Sequence, residues 1–420
     1  MWGCIADDFT GATDVAISFR LAGFRTAVIL QPDLVHHEDI DMLDAIVIAL
    51  KSRTTPAAQA VQDSLSALRS LQNWGCDHIY FKYCSTFDST PQGNIGPVLD
   101  ALRKELHTDR SVVVPSFPAN NRTVYQGHLF VGSDLLENSS MRYHPLTPMT
   151  QSRVSQLLSA QTTTPVHEIH WQTVQEGSHS VTAALNNFGA GYTVVDAVSD
   201  EDIRTIGQSV QEEPLVSGAS SLALGLGAQQ PAPGSQLPRA QKERESHAEF
   251  IPTRRVVIAG SVSQMTLAQI ANAMSSHPIR HVDVDHVRHS YSELIEDTVA
   301  WAANASKTSI PVITSATTQS DVVDHSIDHD ASQDIEDALA NISSHLVVDE
   351  GIDGMIVAGG ETSGAVVKAL NISLLKIGPM ISPGVCWAFA SSHGHSIAIC
   401  LKSGNFGTVD MFTSAWKELS

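Results

Sequence analysis

The chain has 420 residues, 42% apolar and 17% charged, and 25 lysines and arginines against 45 acids give a formal net charge of −20. This is the make-up of a globular protein of two or three domains. It argues against a mostly disordered chain, a generally basic nucleic-acid surface and a polybasic membrane patch. No run approaches the ~20 apolar residues that cross a bilayer, and the opening Met-Trp-Gly-Cys-Ile-Ala-Asp-Asp lacks the basic start and apolar stretch of a secretory signal.

Short apolar runs alternate with helical patterns along the first half. Trp2–Ala6 reads as a strand, and Thr10–Ala22 as a helix stopped at Gly23, a residue suited to follow a helix. Thr26–Leu30 and Ala45–Leu50 are the next strands, followed by a helix over Ala57–Gln72 and strands at His78–Tyr83 and Ser111–Pro115. The second half repeats the habit. Strands fall at Arg255–Ala259, Met355–Ala358 and Ile397–Leu401, with helices at Gln264–Met274 and Thr362–Leu370. Strand–helix alternation predicts a largely parallel sheet flanked by helices in each half, with ligands beyond the carboxyl ends of the strands.

Between the halves, Ala228 to Glu249 is rich in Pro, Gln and charge and poor in apolar residues. It reads as a linker, giving domains at 1–230 and 251–420 joined by 231–250. A second polar stretch, Thr317 to Asp337, holds His325 and His329 and reads as a solvated loop leading into a helix. The five cysteines, at 4, 76, 84, 386 and 400, are odd in number and form no C-x-x-C. That fits a reducing cytoplasm, with neither a disulfide framework nor a zinc site.

The chemistry concentrates in loops after strands. Asp7 and Asp8 follow the first strand at a helix start. One carboxylate can cap the helix while its neighbour faces a ligand, holds hydroxyls or takes a proton. Lys51 and Arg53 follow the third strand, and a guanidinium fork there can hold a carboxylate. Lys82, Ser85, Asp88 and Ser89 crowd the next loop, an inventory suited to a polyhydroxylated acid. Arg122, His128 and His144 are further candidates of lower rank. In the second half, small-residue loops containing Ser261, Gly360 to Ser363, and Gly404 follow three strands, two of them opening helices. Glycine lets main-chain N–H groups approach phosphates, and a helix start adds positive partial charge. G-x-x-x-x-G-K-[ST], G-x-G-x-x-G and H-E-x-x-H are all absent, so any phosphate site here has another design.

The strings IADDFTGATD, KSRTTP, FKYCSTFDSTPQGNIGPV, TVYQGHLFVG, HPLTPMT, VSGASSLALGL, AGGETSGAVVKAL and LKSGNFG resemble the four-carbon acid sugar kinase family over nearly the whole chain. The resemblance implies two α/β domains, the first binding the sugar acid and the second ATP, with the active site in the cleft between them. It implies ATP- and Mg²⁺-dependent phosphorylation of a terminal hydroxyl, within the branch that converts 3-oxo-tetronate to its 4-phosphate. Carried over by motif, the nucleotide falls on Ser261, Gly360, Glu361, Thr362, Ser363 and Gly404. The acid falls on the Asp7-Asp8 loop, Arg53 and the stretch from Lys82 to Thr90. In this reading Arg53 and Lys82 hold the substrate carboxylate, Ser85 or Ser89 orients it, and Asp8 or Asp7 accepts the proton of the 4-hydroxyl. No metal ligand set is visible, and Glu361 is the nearest contact for the ion.

The threonate-kinase pattern Lys-x-Asp-Ser-Thr-Leu-Arg-Gly-Asn is broken here, since Asp88-Ser89-Thr90 runs into Pro91-Gln92-Gly93-Asn94 without the arginine. Lys82 is the cation that could stand in for it. Alternatives are a kinase of a non-oxidised tetronate, an aldolase using Lys51 or Lys82, a dehydrogenase, or a sugar-acid sensor without turnover. A homodimer is compatible with the size.

Overall fold

Eight short strands run side by side in the first part of the chain, and all but the edge strand Val166–Ile169 are largely buried. In this computed structural model residues 1–144, 147–227, 250–317 and 329–419 are described. The chain divides into two compact units, Met1–Leu237 and Pro238–Ser420. The expected linker, apart from Phe250, lies outside the described residues, as does His325. Among the described residues no helix is long and apolar enough to cross a membrane.

In the first unit the strands are β1 (Trp2–Ala6), β2 (Thr26–Ile29), β3 (Ala45–Ala49), β4 (His78–Lys82), β5 (Arg110–Val114), β6 (Arg122–Tyr125), β7 (His128–Val131), β8 (Asp134–Leu135), β9 (Val166–Ile169), β10 (Gly191–Val195) and β11 (Leu215–Gly218). The main sheet has the order β2-β3-β1-β4-β11-β5-β10-β9, and its pairs are parallel. Every residue of β1 is buried, as expected of a central parallel strand covered on both faces. The helix after it, Phe9–Leu21, packs through Gly11, Ala12, Val15, Ala16 and Phe19. It begins one residue earlier than the sequence pattern suggests, because Asp8 takes the capping position.

Strands β6, β7 and β8 form a separate antiparallel sheet. Tyr125 pairs with His128, and the two residues between them, Gln126 and Gly127, both have positive φ, 51° and 74°. Such a turn suits the twist of a tight hairpin.

The second unit holds β12 (Arg255–Ala259), β13 (Ile279–His281), β14 (Val312–Thr314), β15 (Gly354–Ala358), β16 (Leu374–Ser382), β17 (Val385–Ser392) and β18 (His395–Lys402), in the order β13-β14-β12-β15-β18-β17-β16. The strands from β13 to β18 in this order are parallel, but β16, β17 and β18 pair antiparallel. The sheet is thus largely parallel, as expected, with an antiparallel edge. Only two residues separate β16 from β17, and two separate β17 from β18. A connection that short leaves no room for a crossover, so the strands must reverse. The unit's core gathers Val257, Ile356, Trp387, Phe412 and Trp416. Trp387 Nε1 donates to Ala415 O at 3.0 Å.

Candidate functional site

In the first unit the register of three adjacent strands places the candidate residues together. Ala6 at the end of β1 is level with Ala49 in β3 and Lys82 in β4. Asp7 N then donates to Lys82 O at 3.0 Å, while Asp7 O accepts from Ser52 N at 2.9 Å and Arg53 N at 3.1 Å. The main chain of one residue thus ties three strand ends together before any side chain is counted.

The side chains complete the knot. Arg53 grips Asp7 with two parallel bonds, Nε to Oδ2 at 2.9 Å and Nη2 to Oδ1 at 2.7 Å. The same Nη2 reaches Asp8 Oδ1 at 2.7 Å, and that oxygen also caps the helix by accepting from Gly11 N at 2.9 Å. Burial pushes the Asp7 carboxyl above its ordinary value, and the Arg53 guanidinium pulls it back. Both Asp7 oxygens are engaged. Among the described residues Asp8 Oδ2 and Arg53 Nη1 have no hydrogen-bond partner, and these two groups are free to meet a ligand.

Lys82 is 4% exposed, yet among the described residues its ammonium makes no hydrogen bond and no ion pair. It lies close to the first turn of the helix, where a Cβ on Gly11 would come within 2.8 Å of Nζ. The Asp14 and Asp7 carboxylates act on it electrostatically from beyond ion-pair distance, and its N–H groups remain open to a hydrogen-bonding anion.

Two residues that sequence reasoning passed over belong to this cluster. Asp14 accepts from Ser220 Oγ, which sits in the loop after β11, the strand next to β4. Burial pushes the Asp14 carboxyl up, while Lys82 opposes the shift. A signal was present, since Asp14 stands three residues after Gly11 and so shares its helix face. A third such residue, Asn94, clamps the Arg53 loop: its Nδ2 donates to Ser52 O at 2.7 Å, Thr55 O at 3.1 Å and Arg53 O at 3.2 Å.

The loop after β4 is braced from within. Thr86 Oγ1 donates to Asp88 Oδ1 at 2.5 Å and lies 3.0 Å from Cys84 Sγ. Burial pushes the Cys84 thiol up to about 11, with Asp88 adding to the shift and Arg53 opposing it. Phe87, fully buried, is held at φ 58°, a left-handed conformation that a bulky residue adopts only when its surroundings impose it. Ser85 makes no hydrogen bond among the described residues. Ser89 is buried, and its Oγ accepts from Gln161 Nε2 at 2.8 Å. Arg122, His128 and His144 bond within their own neighbourhoods: Arg122 to Asn120 O, His128 to Gln126 O at 2.8 Å and His144 to Thr147 N at 3.0 Å.

The second unit gathers its three glycine loops by the same logic. Ala259, Ala358 and Lys402 end three neighbouring strands in register. Gly260 and Ser261 N donate to Ala358 O, and Gly359 N donates to Lys402 O at 2.9 Å. Gly260 has to be glycine, because a Cβ there would run into Thr362 Oγ1. A Cβ on Gly404 would likewise strike Ser261 Oγ. Gly359 adopts φ 130° ahead of the helix Gly360–Ala369, whereas Gly360 and Gly364 face open space. Ser363 Oγ is buried without a hydrogen-bond partner among the described residues. Glu361 is exposed on the first helical turn. Beside these loops lies a groove of about 100 Å³, open to solvent and bounded by Gly260, Val262, Asp283, Val284, Ile335 and Glu336. Open glycines, a helix start and an orphaned hydroxyl together fit a phosphate chain.

Residues 2–226 match the family described as sugar-binding N-terminal domain, and residues 256–412 match the nucleotide-binding C-terminal domain. The chain is 42% identical over its full length to a 3-oxo-tetronate kinase of Pseudomonas fluorescens, 97% of which is covered. It is 40% identical over 99% of its length to a 3-oxo-tetronate kinase of Salmonella typhimurium, 98% of which is covered. Among solved structures, a Salmonella typhimurium LT2 protein described as a candidate tRNA synthase superposes with a TM-score of 0.86 at 39% identity, covering 99% of both chains. A Haemophilus influenzae protein superposes with a TM-score of 0.83 at 35% identity, covering 99% of this chain and 98% of its own.

Proposed function

Because the chain belongs to the 3-oxo-tetronate kinase family, we propose that it transfers the γ-phosphate of ATP to the 4-hydroxyl of 3-oxo-tetronate. The products are the 4-phosphate and ADP. The observation that carries this reading is the end-to-end match to relatives of that name, spanning both domains. The site chemistry supports it, since phosphoryl transfer asks mainly for positioning and neutralisation of charge.

The acid binds at the ends of β3, β1 and β4. Its carboxylate meets the Lys82 ammonium and the open Nη1 of Arg53, with Ser85 available to a hydroxyl. Asp8 is the base rather than Asp7, since its Oδ2 is unengaged whereas both Asp7 oxygens are taken by Arg53. Asp8 accepts the proton of the 4-hydroxyl as O4 bonds to the γ-phosphorus and the bond to ADP breaks. Asp7 fixes the Arg53 fork and ties the strand ends. The triphosphate lies on the turns at Ser261, Gly360 to Ser363, and Gly404, and the nucleoside in the groove beside Gly260. Magnesium, held by the phosphates and by Glu361 directly or through water, would neutralise charge on the transferring group. The five free cysteines suit a cytoplasmic enzyme.

A coupled assay of ADP release against a panel of four-carbon acids, with and without the 3-keto group, tests the proposal. The expected result is turnover with 3-oxo-tetronate and a 4-phosphate product. ADP release with no acid phosphorylated would overturn it, and preference for a reduced tetronate would move the substrate assignment to that acid.

A further inference from the structure

Lys402 ends β18 as Lys82 ends β4, and it is 2% exposed. Its ammonium donates to Gly404 O at 2.9 Å and to Thr266 Oγ1 at 3.0 Å. The Phe412 ring lies 6.0 Å from Nζ. One of its three N–H bonds is left without a protein acceptor among the described residues, and no carboxylate there lies within ion-pair distance.

An ammonium withdrawn from water without a counter-ion can shed its proton or acquire an anion. Burial pulls the Lys402 pKa down to about 8, with only the Cys400 thiol pushing the other way. That thiol is itself driven well above its ordinary range by burial and by Cys386. The other groups facing Lys402 are Thr266, from the helix Gln264–Ala273, and Phe412, from the segment Met411–Ser414. Neither titrates near this pH. The carbonyl that Lys402 holds belongs to Gly404, the residue packed against Ser261. The charge therefore stands directly behind two of the glycine turns.

We propose that Lys402 is a positioning residue for the nucleotide. It holds the Gly404 turn by its carbonyl and supplies, from beneath the loops, the positive charge that the phosphate chain meets. This rests on the kinase reading and adds to it: main-chain amides set the direction of the phosphates, and one buried ammonium sets their charge preference. It also places a sign on the pH response. Lys402 is charged below about 8 and neutral above, and phosphate binding favours the charged form. Affinity for the phosphate chain should then be level below about pH 8 and fall by up to tenfold per pH unit above it, the limit for one coupled proton. The terminal phosphate of the nucleotide, with a second pKa of about 6, has finished ionising before that window opens.

The test is calorimetric titration of ADP, and separately of ATP, into the full chain from about pH 7 to about pH 9.5. Wild type should show the fall for both probes. Lys402→Gln keeps an N–H donor for Gly404 O but carries no charge. It should bind ADP at least ~10-fold more weakly at about pH 7 and show no decline above about 8. A level wild-type profile would overturn the proposal, as would Lys402→Gln binding within about twofold of wild type. The wild-type profile decides the matter even if the variant does not fold. Failure of wild type to bind ADP at any pH would take down the kinase reading and this inference together, whereas binding with a level profile takes down only the role of Lys402.

Discussion

Replacing Arg53 by methionine should unsettle the first unit in a way that depends on pH and on Asp7. Arg53 is 23% exposed and Asp7 only 4%, so the substitution strips a nearly buried carboxylate of both its guanidinium bonds. Removing one partner of such a pair costs about 3–5 kcal/mol, mostly because the other charge is left stranded. For a unit of this size that corresponds to a fall in melting temperature of roughly 6–20 °C. The sign with pH follows from Asp7. Burial already pushes its carboxyl up, and losing Arg53 removes the main opposing charge. The folded variant therefore takes up a proton more readily than the unfolded chain. Its deficit should be largest near neutrality and shrink as pH falls and Asp7 protonates. Asp7→Asn alone should also destabilise, but the double variant should recover at least ~2 kcal/mol relative to the sum of the singles. Thermal and urea unfolding of all four proteins, at about pH 5 and about pH 7.5, give the cycle directly. Additive losses below about 1 kcal/mol with no pH dependence would refute the view that this pair is a buried, coupled unit.

Three other perturbations probe the site. Asp8→Asn should lower kcat by roughly 10²–10⁴ while leaving ADP affinity within about twofold, because it removes the proposed proton acceptor in the first unit and touches no proposed nucleotide turn; steady-state kinetics with ADP titration would show it. Asn94→Ala frees three carbonyls of the loop that carries Arg53. It should cost about 1–3 kcal/mol of stability and raise KM for the acid more than KM for ATP. Gly260→Ala drives a methyl group into Thr362 Oγ1, and it should weaken ATP binding by about tenfold or more, read as KM, with the acid's KM little changed.

The strands and the loops that follow them were legible because their signals are local. An apolar run ending in Ala6-Asp7-Asp8, or in Ala358-Gly359-Gly360, announces both the strand and the helix start after it. What was hidden depends on residues far apart in the chain. That the Arg53 fork closes on Asp7 and Asp8 follows from the register of β1 on β3, across 46 residues of sequence. That Ser220 meets Asp14 follows from β11 lying beside β4, across 206. The antiparallel edge of the second unit was obscured for another reason. Gly378 and Pro379 interrupt the apolar pattern of β16, although Pro383-Gly384 and His393-Gly394 mark its two reversals. Lys402 gave the least warning of all, since a lysine beside glycines usually reads as a solvated charge.

The main chain of Asp7 fastens the ends of β1, β3 and β4 to one another. With the acid seated there as proposed, catalytic competence and the integrity of the central sheet become a single cooperative property. Warming that loosens those strand ends should abolish phosphorylation at the same temperature at which the sheet gives way. Residual turnover after a heat challenge then serves as a gauge of how many molecules kept their first unit intact.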